Sequence, residues 1–185
     1  MNLGYACINM TLASQSEKIT TNRGMIKKTF LEKGLDYAGS LALLNVRDLQ
    51  AILEWNVKND ITFFRVSSDI FPWASHYDLE FLPQYDEIKS ILFNAGKYAK
   101  KNKLRLTFHP GPYNVLTSPK NSVVNNTIKD LKYHGQMCDL LDLSFSTFNK
   151  INIHCNGVYG DKKSAMDRFC LNFETLPKSV KTRLT

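Results

Sequence analysis

Apolar residues along the chain fall into short continuous runs separated by longer stretches in which they recur every three or four positions. Leu3 to Ile8 is the first run and predicts a strand. Residues 11 to 38 follow, polar and rich in Ser, Thr, Lys and Gly, too long for a simple connection and of the kind that is functional or disordered. From about Ser40 to Asn59, the positions Val46, Leu49, Leu53 and Val57 mark one face of an amphipathic helix. Ile61 to Val66 predicts a second strand, closed by Ser67, Ser68 and Asp69, and a loop then runs through Phe71-Pro72-Trp73 to Pro83. A second helix, Gln84 to Lys101, carries Ile88, Ile91, Leu92, Ala95 and Tyr98 on one face. Leu104 to Phe108 predicts a third strand, ended by His109-Pro110-Gly111-Pro112. A third helix, Ser122 to Leu141, buries Val124, Ile128, Leu131 and Cys138. Lys150 to Ile153 starts a fourth strand ending at His154, Lys163 to Phe173 forms a fourth helix, and Val180 to Thr185 reads as the start of a fifth strand.

Strand and helix alternate with no hairpin signal between strands, which predicts an α/β fold with a parallel sheet. Residues 1–185 form a single domain in this reading. The pattern is that of a TIM-barrel, (β/α)8-type fold, but incomplete: four βα units and the start of a fifth strand, where a whole barrel needs at least ~200 residues.

Composition adds limits. The chain is 43% hydrophobic and 22% charged, the balance of a globular protein. No apolar run approaches the ~20 residues of a membrane span. Met1 to Met10 lacks the basic start of a signal peptide, so an intracellular protein, cytoplasmic or nuclear and without a membrane partner, is expected. The net charge of +7 favours polyanionic partners, although it also serves solubility. Cys7, Cys138, Cys155 and Cys170 have neither metal-finger spacing nor the density of a disulfide framework, and are expected to be reduced and mostly buried.

The candidate chemistry lies in the histidines. His109 and His154 each follow a strand directly, and His76 lies in the loop after the second strand. Ligands of parallel α/β folds bind at the carboxyl ends of strands, and three imidazoles converging there suit a divalent metal. Each taken alone also reads as a hydrogen-bonded loop residue. His134, mid-helix beside Tyr133, reads as structural or solvent-facing.

An ordered set of segments then carries a resemblance. Leu3-Gly4-Tyr5-Ala6-Cys7-Ile8-Asn9 opens it, followed by Thr20-Thr21-Asn22-Arg23, and by Asn45, Asp48-Leu49, Ile52-Leu53 and Asn56. Phe64-Arg65-Val66-Ser67-Ser68, Pro72-Trp73-Ala74-Ser75-His76, His109-Pro110-Gly111 with Tyr113, and His154 with Gly157, Tyr159-Gly160 and Lys162 complete it. In this order the chain resembles the amino-terminal part of the UV damage endonucleases, metal-dependent enzymes that nick DNA beside damaged bases. The resemblance implies a TIM barrel close to that of endonuclease IV. It implies that His76, His109 and His154 are ligands of divalent metal ions, Mn2+ first, with Mg2+ or Zn2+ as alternatives. Tyr5 and Asn9 fall where the family meets the damaged nucleotides; read without it, Tyr5 is core and Asn9 caps a turn. Arg23, Lys27 and Lys28 become candidates for phosphate contacts, with a solvated basic loop as the other reading.

One position departs from the family. Its His-Pro-Gly-Gln-Tyr motif inserts Gln and Tyr into the duplex, and here Pro112 stands at the Gln position while Tyr113 is kept. Proline has no amide donor, although an apolar wedge can still unstack a base step. Lesion probing would then rest on Tyr113 and shape. The implied reaction is hydrolysis of a phosphodiester bond immediately 5′ to a UV lesion in duplex DNA. The family adds carboxylates and further histidines from a carboxyl-terminal half, and Glu174, on the fourth helix, does not replace them. The isolated chain is therefore expected to be weakly active or inactive unless a separate chain supplies the remainder. Two other readings stand beside it: another metal-dependent barrel enzyme of the endonuclease IV or sugar isomerase type, and a non-catalytic remnant that binds DNA or a partner.

Overall fold

A computed structural model of the chain describes residues 3–185. Three parallel strands pair in the order β1 (Leu3–Ala6), β2 (Ile61–Arg65) and β3 (Arg105–Thr107). Single-residue parallel bridges carry the sheet onward, from Phe108 to Ile151 and from Ile151 to Leu184. The paired stretches thus lie side by side in chain order, each separated from the next by helix, which is the alternation that the apolar pattern predicts. At the β1 edge the register shifts between Leu3 and Gly4. A Cβ on Gly4 would fall 2.3 Å from the Phe63 side chain, so only glycine lets the two strands close there.

The largest departure from expectation is the helix before β2. It does not begin near Ser40: α2 runs Lys27–Lys58, broken at Gly34 by φ 60° and ψ −153°, a conformation that favours glycine. The polar stretch 11–38 is therefore not one long loop. It holds the end of a short helix, α1 (Met10–Ala13), a connection, and the first turns of α2. Those turns escape the periodicity test because they have no apolar stripe: Phe30 is half-buried and Leu31 is exposed. After the break, Ala38, Ala42, Val46, Leu49, Ile52 and Leu53 are buried on one face. The connection is fastened to that helix. Asp48 accepts from the Thr20 amide (2.7 Å) and from the Arg23 guanidinium (2.6 Å), while buried Asn45 accepts from the Arg23 amide (3.0 Å) and donates to the Arg23 and Ile70 carbonyls (2.9 and 3.0 Å).

α3 (Tyr85–Lys101) starts with Asp86 and Glu87 and ends with Lys100 and Lys101, charges that complement its dipole. It buries Ile88, Leu92, Ala95 and Ala99, with Ile91 and Tyr98 half-buried at the margins. α4 (Asn121–Leu140) buries Val124, Leu131 and Cys138 as expected, with Ile128 half-buried. It also buries His134 completely, so that residue does not face solvent: Leu131, His134 and Cys138 share one face at helical spacing. α5 (Lys162–Glu174) is capped by Asp161, whose carboxylate accepts from the Lys163 and Ser164 amides, and Glu174 sits at its far end, paired with Lys181.

The expected fourth strand is reduced to bridges centred on Ile151, with Lys150, Asn152 and Ile153 bonded through their backbones to Phe108 and Thr185. A 3-10 turn, Thr147–Asn149, precedes it, and the Asn149 side-chain amide donates to the Leu106 carbonyl (2.9 Å), a side chain occupying an acceptor of the sheet. The expected fifth strand is likewise shortened, because α6 (Lys178–Lys181) takes the first part of Val180–Thr185 before Leu184 pairs. The buried Arg183 guanidinium holds this corner, donating to Ser144, Leu143 and Ser179 carbonyls and to Asp139. The thiols differ from expectation too. Cys138 alone is buried, Cys7 is half-buried, and Cys155 and Cys170 are exposed; all four are free. Among the described residues no helix is long and apolar enough to cross a membrane.

Candidate active site at the strand ends

β3 and the stretch through Ile151 deliver two histidines to one place. The rings of His109 and His154 meet edge to face, with centroids 4.9 Å apart and planes at 68°. The Pro110 carbonyl lies 3.1 Å from Nδ1 of His109; as an acceptor it places the proton on Nδ1 and leaves the Nε2 lone pair for a ligand. The turn that follows His109 is fastened from several sides. The Ser68 hydroxyl donates to the His109 carbonyl (2.8 Å), the Asn114 amide donates to Gly111 O (3.0 Å) and to Asp130 (2.6 Å), and the Thr117 hydroxyl donates to the Asn156 carbonyl beside His154. Pro112 and Tyr113 project from this anchored turn, Tyr113 with 89% of its surface exposed.

His76 stands apart from the pair. It is exposed on a 3-10 turn, Ala74–His76, that follows Trp73 in the left-handed region at φ 62°. Its ring lies edge-on to Trp73 (5.1 Å) and to Phe30 (6.3 Å), and its Nδ1 is 3.2 Å from the Ser75 hydroxyl. Phe30 in turn stacks on Trp73 and Tyr77, and the Trp73 indole donates to Met25 O (3.0 Å). The first turns of α2 therefore brace the loop that carries His76. Among the described residues no three His, Cys, Asp or Glu side chains are grouped to hold a metal. Two of the three expected imidazoles are brought together and fit, by donor chemistry, the nitrogen half of a transition-metal site.

At the end of β1, the Tyr5 phenol donates to Asn56 (2.6 Å) and accepts from the Asn9 amide (2.8 Å), while Asn9 Oδ1 accepts from the Leu12 amide (2.9 Å) and caps α1. Burial raises the Tyr5 pKa, against the lowering effect of both asparagine bonds. Arg23 is committed to Asp48 and to the Thr20 and Lys18 carbonyls, whereas Lys27 and Lys28 are exposed at the start of α2. His134 is the buried polar residue that the sequence reading left unassigned. Its Nδ1 is 2.8 Å from the Asp130 carbonyl and its Nε2 has no partner. Burial lowers its pKa, opposed by the Asp130 carboxylate and carbonyl, and the neutral ring packs against Phe108, next to His109.

The family model described as UV-endonuclease UvdE matches residues 1–185. The chain belongs to the UV-endonuclease UvdE family. It is 41% identical to the UV DNA damage endonuclease of Clostridium perfringens, over all of this chain and 42% of that protein. Identity to the UV-damage endonuclease of Schizosaccharomyces pombe is also 41%, over 98% of this chain and 30% of that one. The crystal structure of SacUVDE superposes with a TM-score of 0.86 at 32% identity, covering all of this chain and 60% of SacUVDE. The chain thus spans between 30% and 60% of the length of these UvdE relatives. Its fold is the corresponding part of the TIM-barrel-type UvdE fold, α/β with a parallel sheet.

Proposed function

We propose that this chain carries the metal-binding face of a DNA repair endonuclease that hydrolyses one phosphodiester bond immediately 5′ to a UV lesion in duplex DNA. The observation that carries the reading is the His109–His154 contact at neighbouring strand ends, in a chain matched along its whole length by UV-endonuclease UvdE. His109 and His154 would hold a divalent ion, manganese being our first choice, and His76 would join from the adjoining loop. When bound, such ions supply Lewis acidity toward water and phosphate oxygens. The chain's own residues position the substrate. Tyr113, exposed on its anchored turn, enters the base stack with Pro112 as an apolar wedge, and Lys27 and Lys28 meet phosphates. Expelling a damaged base costs less than expelling a sound one, which favours the lesion. Tyr5, held between Asn9 and Asn56, offers an oriented phenol at the end of β1 where the displaced nucleotides would lie.

The test is nicking of a duplex with one defined pyrimidine dimer, with manganese added, by wild type and His109→Ala. Cleavage 5′ to the dimer that vanishes in the variant supports the proposal. Cleavage that survives in His109→Ala removes the imidazole pair from the chemistry, and a wild type that does not nick refutes activity of the isolated chain, the outcome expected where the remainder of the fold must supply further ligands.

A further inference from the structure

We propose that the groove between the loop that carries His76 and α4 is a second DNA-binding surface, in which Asn126, Lys129, Lys132 and Gln136 of α4 hold a phosphodiester backbone while an unpaired base stacks on the facing aromatic side chains. This rests on the functional reading above and extends it to residues that reading does not use.

The groove, about 910 Å³, lies between the 74–81 loop and α4, with Tyr113 at its margin. It falls at the upper end of ~300–1,000 Å³ ligand sites, and an extrahelical nucleotide with its phosphates fits such a volume. The four α4 residues follow one another at steps of three, three and four, so they form one stripe along the helix. The other side of the helix is spent on the core through Val124, Leu131 and Cys138. Lys129 and Lys132 are exposed, and among the described residues neither takes part in an ion pair. Two acids share the lining. Asp130 is committed, its carboxylate accepting from Asn114 at 2.6 Å and lying 3.7 Å from His134. Asp78 is exposed on the opposite wall. The remaining charge along the helix wall is positive.

The opposite wall supplies the other half of the chemistry. Phe81 is 67% exposed and lines the same groove as Tyr113. Large aromatic faces left in water beside unpaired lysines and side-chain amides form the combination that binds an unstacked strand: rings for base faces, ammonium groups and amides for phosphates. Tyr113 also ties the groove to the duplex. A base displaced by its entry leaves the stack next to this wall.

The experiment measures affinity by fluorescence anisotropy, between about 50 and 200 mM salt, for a fully paired duplex and for one with a single unpaired nucleotide. The proteins are wild type, Lys129→Ala/Lys132→Ala, Phe81→Ala, and a control, Lys89→Ala/Lys97→Ala, on α3. Losing two phosphate contacts should reduce the slope of log affinity against log salt by about 1.8, so affinity falls about 12-fold less across that range than for wild type. The control should keep the wild-type slope. Phe81→Ala should keep the slope and lose preference for the unpaired nucleotide. An α4 double variant with the control's slope, or a Phe81→Ala protein with the wild-type preference, overturns the groove. Wild type that binds neither duplex instead refutes the functional reading on which the groove depends.

Discussion

Arg183→Met removes the one charged side chain that, among the described residues, the fold encloses completely, and its cost can be worked from its partners. The side chain has no exposed surface, and its guanidinium donates to the carbonyls of Leu143, Ser144 and Ser179 and to Asp139. Leu143 is buried, so its carbonyl loses its partner without gaining water, at about 2 kcal/mol. The Asp139 side chain is 44% exposed and rehydrates, so that pair contributes only about 0.5–1 kcal/mol. The Ser144 and Ser179 carbonyls, nearer solvent, add about 0.5 kcal/mol each. Methionine keeps most of the stem volume, which limits any cavity. The total is about 3.5–4 kcal/mol, a large share of a typical domain's stability of about 5–15 kcal/mol, and lowers Tm by about 10 °C. Urea unfolding followed by circular dichroism reads the difference. Arg183→Lys, with charge but no planar fork, should recover less than half. A loss below about 1 kcal/mol for Arg183→Met would show that these bonds only replace equally good ones to water, and would refute the reasoning.

Other outcomes follow from single features. Burial holds the His134 pKa below the usual histidine value, so the unfolded chain binds a proton that the folded chain resists; stability is full above about pH 6.5 and declines as pH falls below it. Urea midpoints at about pH 7.5 and about pH 5.5 should therefore differ less in His134→Gln than in wild type. Tyr113→Ala should leave the unfolding free energy within about 0.5 kcal/mol of wild type, since the side chain is 89% exposed, yet narrow the ratio of binding to damaged and undamaged duplex. In a thiol-reagent titration Cys155 and Cys170 should react at once and Cys7 slowly. Cys138, its thiol pushed up to about 12 by burial, should wait for denaturant.

Much of the sheet order was legible because each strand is an apolar run and each of α3, α4 and α5 carries an apolar face that repeats every three or four residues. The same regularity located His109 and His154, which directly follow such runs. It could not place His76, whose position depends on a left-handed Trp73 and on Phe30 from a distant helix. The start of α2 was hidden for a related reason: its first turns are held by one aromatic stack, which leaves no periodic trace. His134 is different: its spacing from Leu131 and Cys138 is that of a buried face, and of its two readings, structural or solvent-facing, the first is the one that holds. Asn9 caps α1, the plainer of its two readings, with its amide also bonded to Tyr5.

The break at Gly34 divides α2 into two cooperative units. Helix propagation adds hydrogen bonds turn by turn, and a residue at ψ −153° interrupts that ladder. Fraying that begins at Lys27 therefore ends at the glycine and does not spread into the long packed segment beyond it. Amide hydrogen exchange should resolve two protection classes within this one helix, with 27–33 opening on its own timescale while the segment after Gly34 exchanges with the core. The arm that braces the His76 loop can thus unfold and re-form without any loss from the helix that supports the sheet.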